Sequence, residues 1–103
     1  MSFVRAAKAS AIPQGSISEF QVAGKAVAVA NVEGKFFAVN SVCLHEGGPL
    51  GEGALNGTVV ICPWHAWEYD VTTGRIVGSP EGVEGIACYP VEIRGEDIYV
   101  DIG

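Results

Sequence analysis

Glycine recurs fourteen times along the 103 residues, between short stretches rich in Val and Ile, and this punctuation constrains the fold more than any other feature. Together with five prolines it describes short strands joined by tight turns rather than helices. Segments 3–8, 17–22, 26–32 and 35–40 read as four strands, broken at Ile12-Pro13-Gln14-Gly15, Ala23-Gly24 and Glu33-Gly34. Near the end, 86–93 and 97–101 flank the turn residues Arg94-Gly95-Glu96 and are expected to close the same sheet system. Between the two groups, residues 41–81 have a different texture, with short apolar pieces and repeated glycine turns, and look like an insert built around a site. Within the insert, 54–62 and 66–71 read as short strands, and Thr73-Gly74-Arg75 turns into Ile76-Val77. The expectation is an all-β chain with a single core, since this length leaves no room for a second.

Composition narrows the partners. Twelve carboxylates against six Lys and Arg give a net charge of −6, which disfavours binding to a phosphate backbone, so no nucleic acid partner is expected. An acidic surface can instead steer a basic protein patch toward it. No stretch approaches the roughly 20 apolar residues that span a bilayer, and the start of the chain lacks the pattern of a secretory signal, so a cytoplasmic protein is expected. Three cysteines, Cys43, Cys62 and Cys88, cannot all pair within one chain and are too few for a disulfide scaffold. Metal or redox chemistry becomes the sharper question, although Cys88, in a strand-like run with no ligand-type neighbour, reads as core.

Both histidines sit beside two of the cysteines, as Cys43-Leu44-His45 and Cys62-Pro63-Trp64-His65, with sixteen residues between the pairs. Such pairs can turn toward one centre if each backbone is a tight loop, and Gly47-Gly48-Pro49 and Pro63 are loop residues. Thiolate and imidazole suit zinc or iron–sulfur, whereas Mg²⁺ or Ca²⁺ would want carboxylates.

The order Cys-x-His then Cys-x-x-His resembles the Rieske [2Fe–2S] signature, with flanking matches in His45-Glu-Gly-Gly-Pro-Leu, Gly53-Ala-Leu-Asn-Gly, Val60-Ile-Cys-Pro-Trp-His and Tyr69-Asp-Val-Thr-Thr-Gly. The resemblance implies a Rieske fold: an antiparallel β-sandwich or barrel base, 1–40 and 82–103, with a small β cluster-binding subdomain, about 41–81, inserted in a single domain, 1–103. It also implies one [2Fe–2S] cluster per chain, with Cys43 and Cys62 on one iron and His45 and His65 on the other. Gly48 and Trp64 stand where respiratory-type members carry a bracing disulfide, and Trp67 stands where they carry a serine, which points to the low end of the Rieske range, near roughly −150 mV. Tyr69 shifts the expectation upward if its hydroxyl bonds a ligand sulfur, and leaves it unmoved if the hydroxyl sits in water. Ala66 and Leu44 depart from the family's usual Gly and Thr, and Gly78-Ser79-Pro80 resembles its proline loop.

With both histidines committed, none is left for the mononuclear iron of an oxygenase, and no Gly-x-Gly-x-x-Gly segment offers a nicotinamide or flavin site. The resemblance therefore implies a non-enzymatic carrier, a Rieske ferredoxin. It would pass electrons from a flavin-dependent ferredoxin reductase to a terminal ring-hydroxylating oxygenase, as a monomer docking transiently at its His45/His65 end. Leu44, Pro49, Trp64 and Pro80 would form a small apolar patch there. Proton uptake coupled to reduction at high pH is expected from the histidine ligands. The alternatives are the small subunit of an NAD(P)H-dependent nitrite reductase and, in another class, a zinc-binding or non-redox interaction module.

Overall fold

Residues 27–30, Val-Ala-Val-Ala, are all fully buried, so side chains that leave one strand on opposite faces are covered on both sides. That strand must occupy a middle layer. The computed structural model describes residues 3–42, 49–64, 67–77 and 85–102. Within them the strands are β1 (Phe3–Lys8), β2 (Ile17–Val22), β3 (Lys25–Val32), β4 (Lys35–Asn40), β5 (Ala54–Asn56), β6 (Val59–Ile61), β7 (Glu68–Asp70), β8 (Cys88–Tyr89), β9 (Val91–Arg94) and β10 (Asp97–Asp101). They form three antiparallel sheets, ordered β1-β10-β9, β2-β3-β4-β8 and β5-β6-β7.

The middle sheet carries one apolar cluster on each face. Val27, Val29 and Ala38 pack with Ile12, Val22, Ile98 and Val100 toward the β1-β10-β9 sheet. Ala28, Ala30 and Val39 pack with Leu50, Val60, Cys62, Tyr69 and Val71 toward the small sheet. The small sheet has no core of its own; its buried face is completed by the middle sheet.

Two tight hairpins set the register of that sheet. Val22 pairs with Lys25 around Ala23-Gly24, and Val32 with Lys35 around Glu33-Gly34. Both central residues have positive φ in each turn, 48° and 85° in the first and 52° and 89° in the second. This is the twist that two-residue hairpins need, and Ala23 and Glu33 adopt it at a steric cost of about 1–2 kcal/mol each. Buried Asn31 pins the second turn, donating from Nδ2 to the Ile12 carbonyl at 2.7 Å and accepting from the Gly34 N–H at 2.9 Å.

The second half of the chain departs from the expected strands. Segment 54–62 is two strands, split by a turn at Gly57, whose φ is +63°. Segment 66–71 contributes only β7. Segment 86–93 is also two strands, and they enter different sheets: β8 pairs with β4, β9 with β10. Pro90 lies between them, with no N–H to continue a ladder. Cys88 is exposed rather than core, because β8 is a two-residue edge strand with a neighbour on one side only.

Candidate metal centre

The first loop begins where β4 ends. Asn40 accepts the Val42 N–H on its side-chain oxygen at 3.0 Å, which turns the chain out of the sheet. Val42 and Pro49 form an antiparallel bridge, and the Leu50 N–H donates to the Ser41 carbonyl at 2.6 Å. The two ends of segment 43–48 are thus held together, with fully buried Leu50 anchoring the return.

The second loop caps the β6–β7 hairpin. Val60 pairs with Tyr69 and Ile61 with Glu68, and the Cys62 N–H then donates to the Trp67 carbonyl at 2.7 Å. Cys62 is almost entirely buried, whereas Trp64, two residues on, is 50% exposed. The feet of the two loops meet at Gly53, where a Cβ would collide with the Ile61 carbonyl. Glycine is required there by that approach, which brings the chain leaving the first loop against the residue before Cys62.

A third segment returns alongside. Asp70 accepts from the Thr72 N–H at 2.8 Å and the Thr72 hydroxyl at 2.6 Å, and its carbonyl accepts the Gly74 N–H at 2.7 Å. Gly74, at φ +78°, lets the Ile86 N–H reach its own carbonyl at 2.8 Å, and a Cβ would strike the Ile86 carbonyl. This explains the Asp-Val-Thr-Thr-Gly run: an aspartate cap, then a residue free to adopt the left-handed region beside the crossing backbone of Ile86. Val77 donates to the Glu68 carbonyl at 2.9 Å, so the chain on either side of 78–84 is also fastened. Val42, Trp64 and Val77, three of the four large apolar residues most exposed among the described residues, border the segments 43–48, 65–66 and 78–84.

Of the four expected ligands, the structure describes Cys62. Cys43, His45 and His65 lie outside the described residues, as do Leu44, Gly48, Ala66 and Gly78-Ser79-Pro80. Among the described residues no three His, Cys, Asp or Glu side chains form a metal-binding group. Tyr69 is fully buried in the same apolar cluster as Cys62, which removes the reading that left its hydroxyl in water. Pro49 is half-buried. Sequence reasoning missed Ser41, whose backbone and hydroxyl tie the first loop to the sheet, and Gly53, whose signal was its place in the Gly-Ala-Leu-Asn-Gly run without a reason attached.

Compared with known protein families, residues 2–90 match the model of the Rieske [2Fe-2S] domain. The chain belongs to that family. Rieske relatives include the biphenyl dioxygenase ferredoxin subunit of Pseudomonas sp. (strain KKS102), 37% identical over 98% of this chain and 93% of that protein. The ferredoxin component of the naphthalene 1,2-dioxygenase system of Pseudomonas aeruginosa is 35% identical over 88% of this chain and 86% of its own length. Among solved Rieske structures, the ferredoxin of carbazole 1,9a-dioxygenase from Nocardioides aromaticivorans IC177 superposes with a TM-score of 0.87 at 26% identity, covering 97% of each chain. A complex of reduced oxygenase and oxidized ferredoxin in carbazole 1,9a-dioxygenase contains a chain matching at a TM-score of 0.83 and 31% identity, over 95% of this chain and 91% of that one. The Rieske-type [2Fe–2S] cluster is the cofactor this membership brings, and the local chemistry fits it. Cys62 offers a soft sulfur in an apolar, nearly water-free setting at a loop foot, which suits iron–sulfur ligation rather than a hard cation.

Proposed function

We propose that the chain is a soluble one-electron carrier, a Rieske ferredoxin that takes electrons from a flavin-dependent reductase and hands them to a terminal ring-hydroxylating oxygenase. One observation carries the reading: two loops, each fastened at its base and joined foot to foot across Gly53 and Ile61, one of them opening on a buried cysteine. Cys43 and Cys62 would hold one iron of the cluster, His45 and His65 the other. When bound, the cluster accepts and releases a single electron. The chain's part is to hold the feet of those loops at a fixed spacing, to keep water from the sulfur side through Leu50, Val60 and Tyr69, and to present a docking rim. Exposed Val42, Trp64 and Val77 supply the apolar part of that rim, in keeping with the small interfaces of transient electron-transfer partners. Residues 41–81 carry five carboxylates against the single cation Arg75, so a partner face rich in Lys and Arg would be steered toward this part of the chain.

On this reading residues 41–81 form the cluster-binding subdomain within the base 1–40 and 82–103. The chain works as a cytoplasmic monomer and transforms no substrate itself. The names of its relatives, ferredoxin parts of systems acting on aromatic rings, support the carrier role. Among the described residues no helix is long and apolar enough to cross a membrane. Coulometric reduction of the iron-loaded protein, with sedimentation on the same sample, tests the proposal. One electron per chain and a monomer are expected. Uptake of no electron, or stable sedimentation as an assembly, would contradict it.

A further inference from the structure

Among the described residues three polar side chains are buried: Asn31, Ser41 and Asp101. Asn31 closes a hairpin in the base, but Ser41 stands two positions ahead of the expected ligand Cys43. Ser41 is fully enclosed, and its backbone and hydroxyl groups are all engaged. Its N–H donates to the Ala26 carbonyl at 3.0 Å, and its carbonyl accepts the Leu50 N–H at 2.6 Å. Its hydroxyl donates to Glu19 Oε1 at 2.5 Å and accepts the Gly51 N–H at 3.1 Å. These bonds draw β2, β3 and the 3-10 turn Leu50–Glu52 onto one residue. Gly51 lies so close to Glu19 that a Cβ at 51 would overlap the Glu19 backbone, so the turn has no space in which to reseat. An alanine at 41 would keep the backbone bonds and leave the buried Gly51 N–H without its acceptor.

We propose that Ser41 is a positioning residue for the cluster. Its hydroxyl, oriented by Glu19, fixes the spacing between the two ends of loop 43–48 and so the grip of that loop on iron. The inference rests on the assignment of Cys43 and His45 as ligands made above. It predicts that loosening of the tether from Ser41 to Leu50 and Gly51, rather than global unfolding, governs loss of the cluster.

The test uses iron-loaded wild type and four variants, Ser41→Ala, Glu19→Ala, Glu19→Gln and Asn31→Ala. Each is followed for release of iron to a chelator, for the electron paramagnetic resonance line shape of the reduced state, and for thermal unfolding. Ser41→Ala should release iron roughly 5- to 30-fold faster and show broadened lines, the ratio that one or two lost hydrogen bonds would give. Glu19→Ala, a change at an exposed position, should shift both readouts the same way by less, and Glu19→Gln, which keeps the acceptor oxygen, should match wild type. Asn31→Ala should lower the unfolding temperature while leaving line shape unchanged. Wild-type release and line shape in both Ser41→Ala and Glu19→Ala would overturn the positioning role. So would an Asn31→Ala effect equal to that of Ser41→Ala, which would reduce the serine to general stability. A wild-type protein that binds no iron would instead remove the ligand assignment, and the role of Ser41 with it.

Discussion

Tyr69 and Cys88 show how differently two side chains of the same region are placed. Tyr69, fully buried beside Cys62 in one apolar cluster, has its hydroxyl withdrawn from water. Hydrogen bonding to a ligand sulfur stabilises the more negative, reduced state, so Tyr69→Phe should lower the midpoint potential, as protein-film voltammetry would read it. An unchanged potential would assign the tyrosine to packing alone. Cys88 is exposed as a residue, yet its sulfur leans on the Val71 carbonyl at 4.0 Å. Partial burial first, and the charge of Asp70 second, raise its pKa, so at a given pH less of it is thiolate. Alkylation at Cys88 of the folded protein should be severalfold slower near pH 8 than in urea, and should keep rising above the ordinary thiol range. A folded-state rate equal to that in urea would contradict this, with Cys88→Ser as the blank. At this scale the family was legible where residue types are chemically specific, in the Cys-x-His and Cys-x-x-His pairs, and residues 2–90 match its model. The sequence was silent on Ser41, whose importance comes from Glu19, a partner 22 positions away. It misled on Cys88, because a local apolar run does not say whether a strand lies at a sheet edge.

Turns, more than strands, decide what each element can do. β1, β2 and β4 occupy the ranges expected from their Val and Ile content, and β3 begins one residue early at Lys25. Those boundaries were readable because Ala23-Gly24 and Glu33-Gly34 close two-residue hairpins, which leave no slack in register. The same turns carry non-glycine residues at positive φ, so Ala23→Asn or Glu33→Asn should stabilise the chain by about 0.5–1 kcal/mol in a urea titration. Gly74→Ala should do the opposite, by about 2 kcal/mol or more, since the left-handed strain adds to an overlap with the Ile86 carbonyl. The splits at Gly57 and Pro90 were not read as strand ends. Alternating apolar residues on either side looked continuous, and only the partner strands show that β8 and β9 serve different sheets.

For the molecule as a whole, the all-β class was legible, but the layering was not. Nothing local to 27–30 tells a strand buried on both faces from an ordinary core run, and the shared core under the small sheet depends on contacts between distant segments. Residues 41–81 carry most of the chain's net negative charge, because their five carboxylates face a single cation, Arg75. Oxidation of the reduced protein by a tripositive cobalt complex should slow as salt is added, because ions screen the attraction over about 10 Å at 0.1 M, whereas oxidation by ferricyanide should quicken. Identical salt dependence for both oxidants would remove the electrostatic part of the docking proposal. The central claim, that Cys43, His45, Cys62 and His65 hold a Rieske cluster, is tested most directly by low-temperature electron paramagnetic resonance before and after dithionite, with iron and zinc counted on the same sample. The account predicts a rhombic signal that appears only on reduction, two irons per chain and no zinc. Stoichiometric zinc with no signal would contradict it.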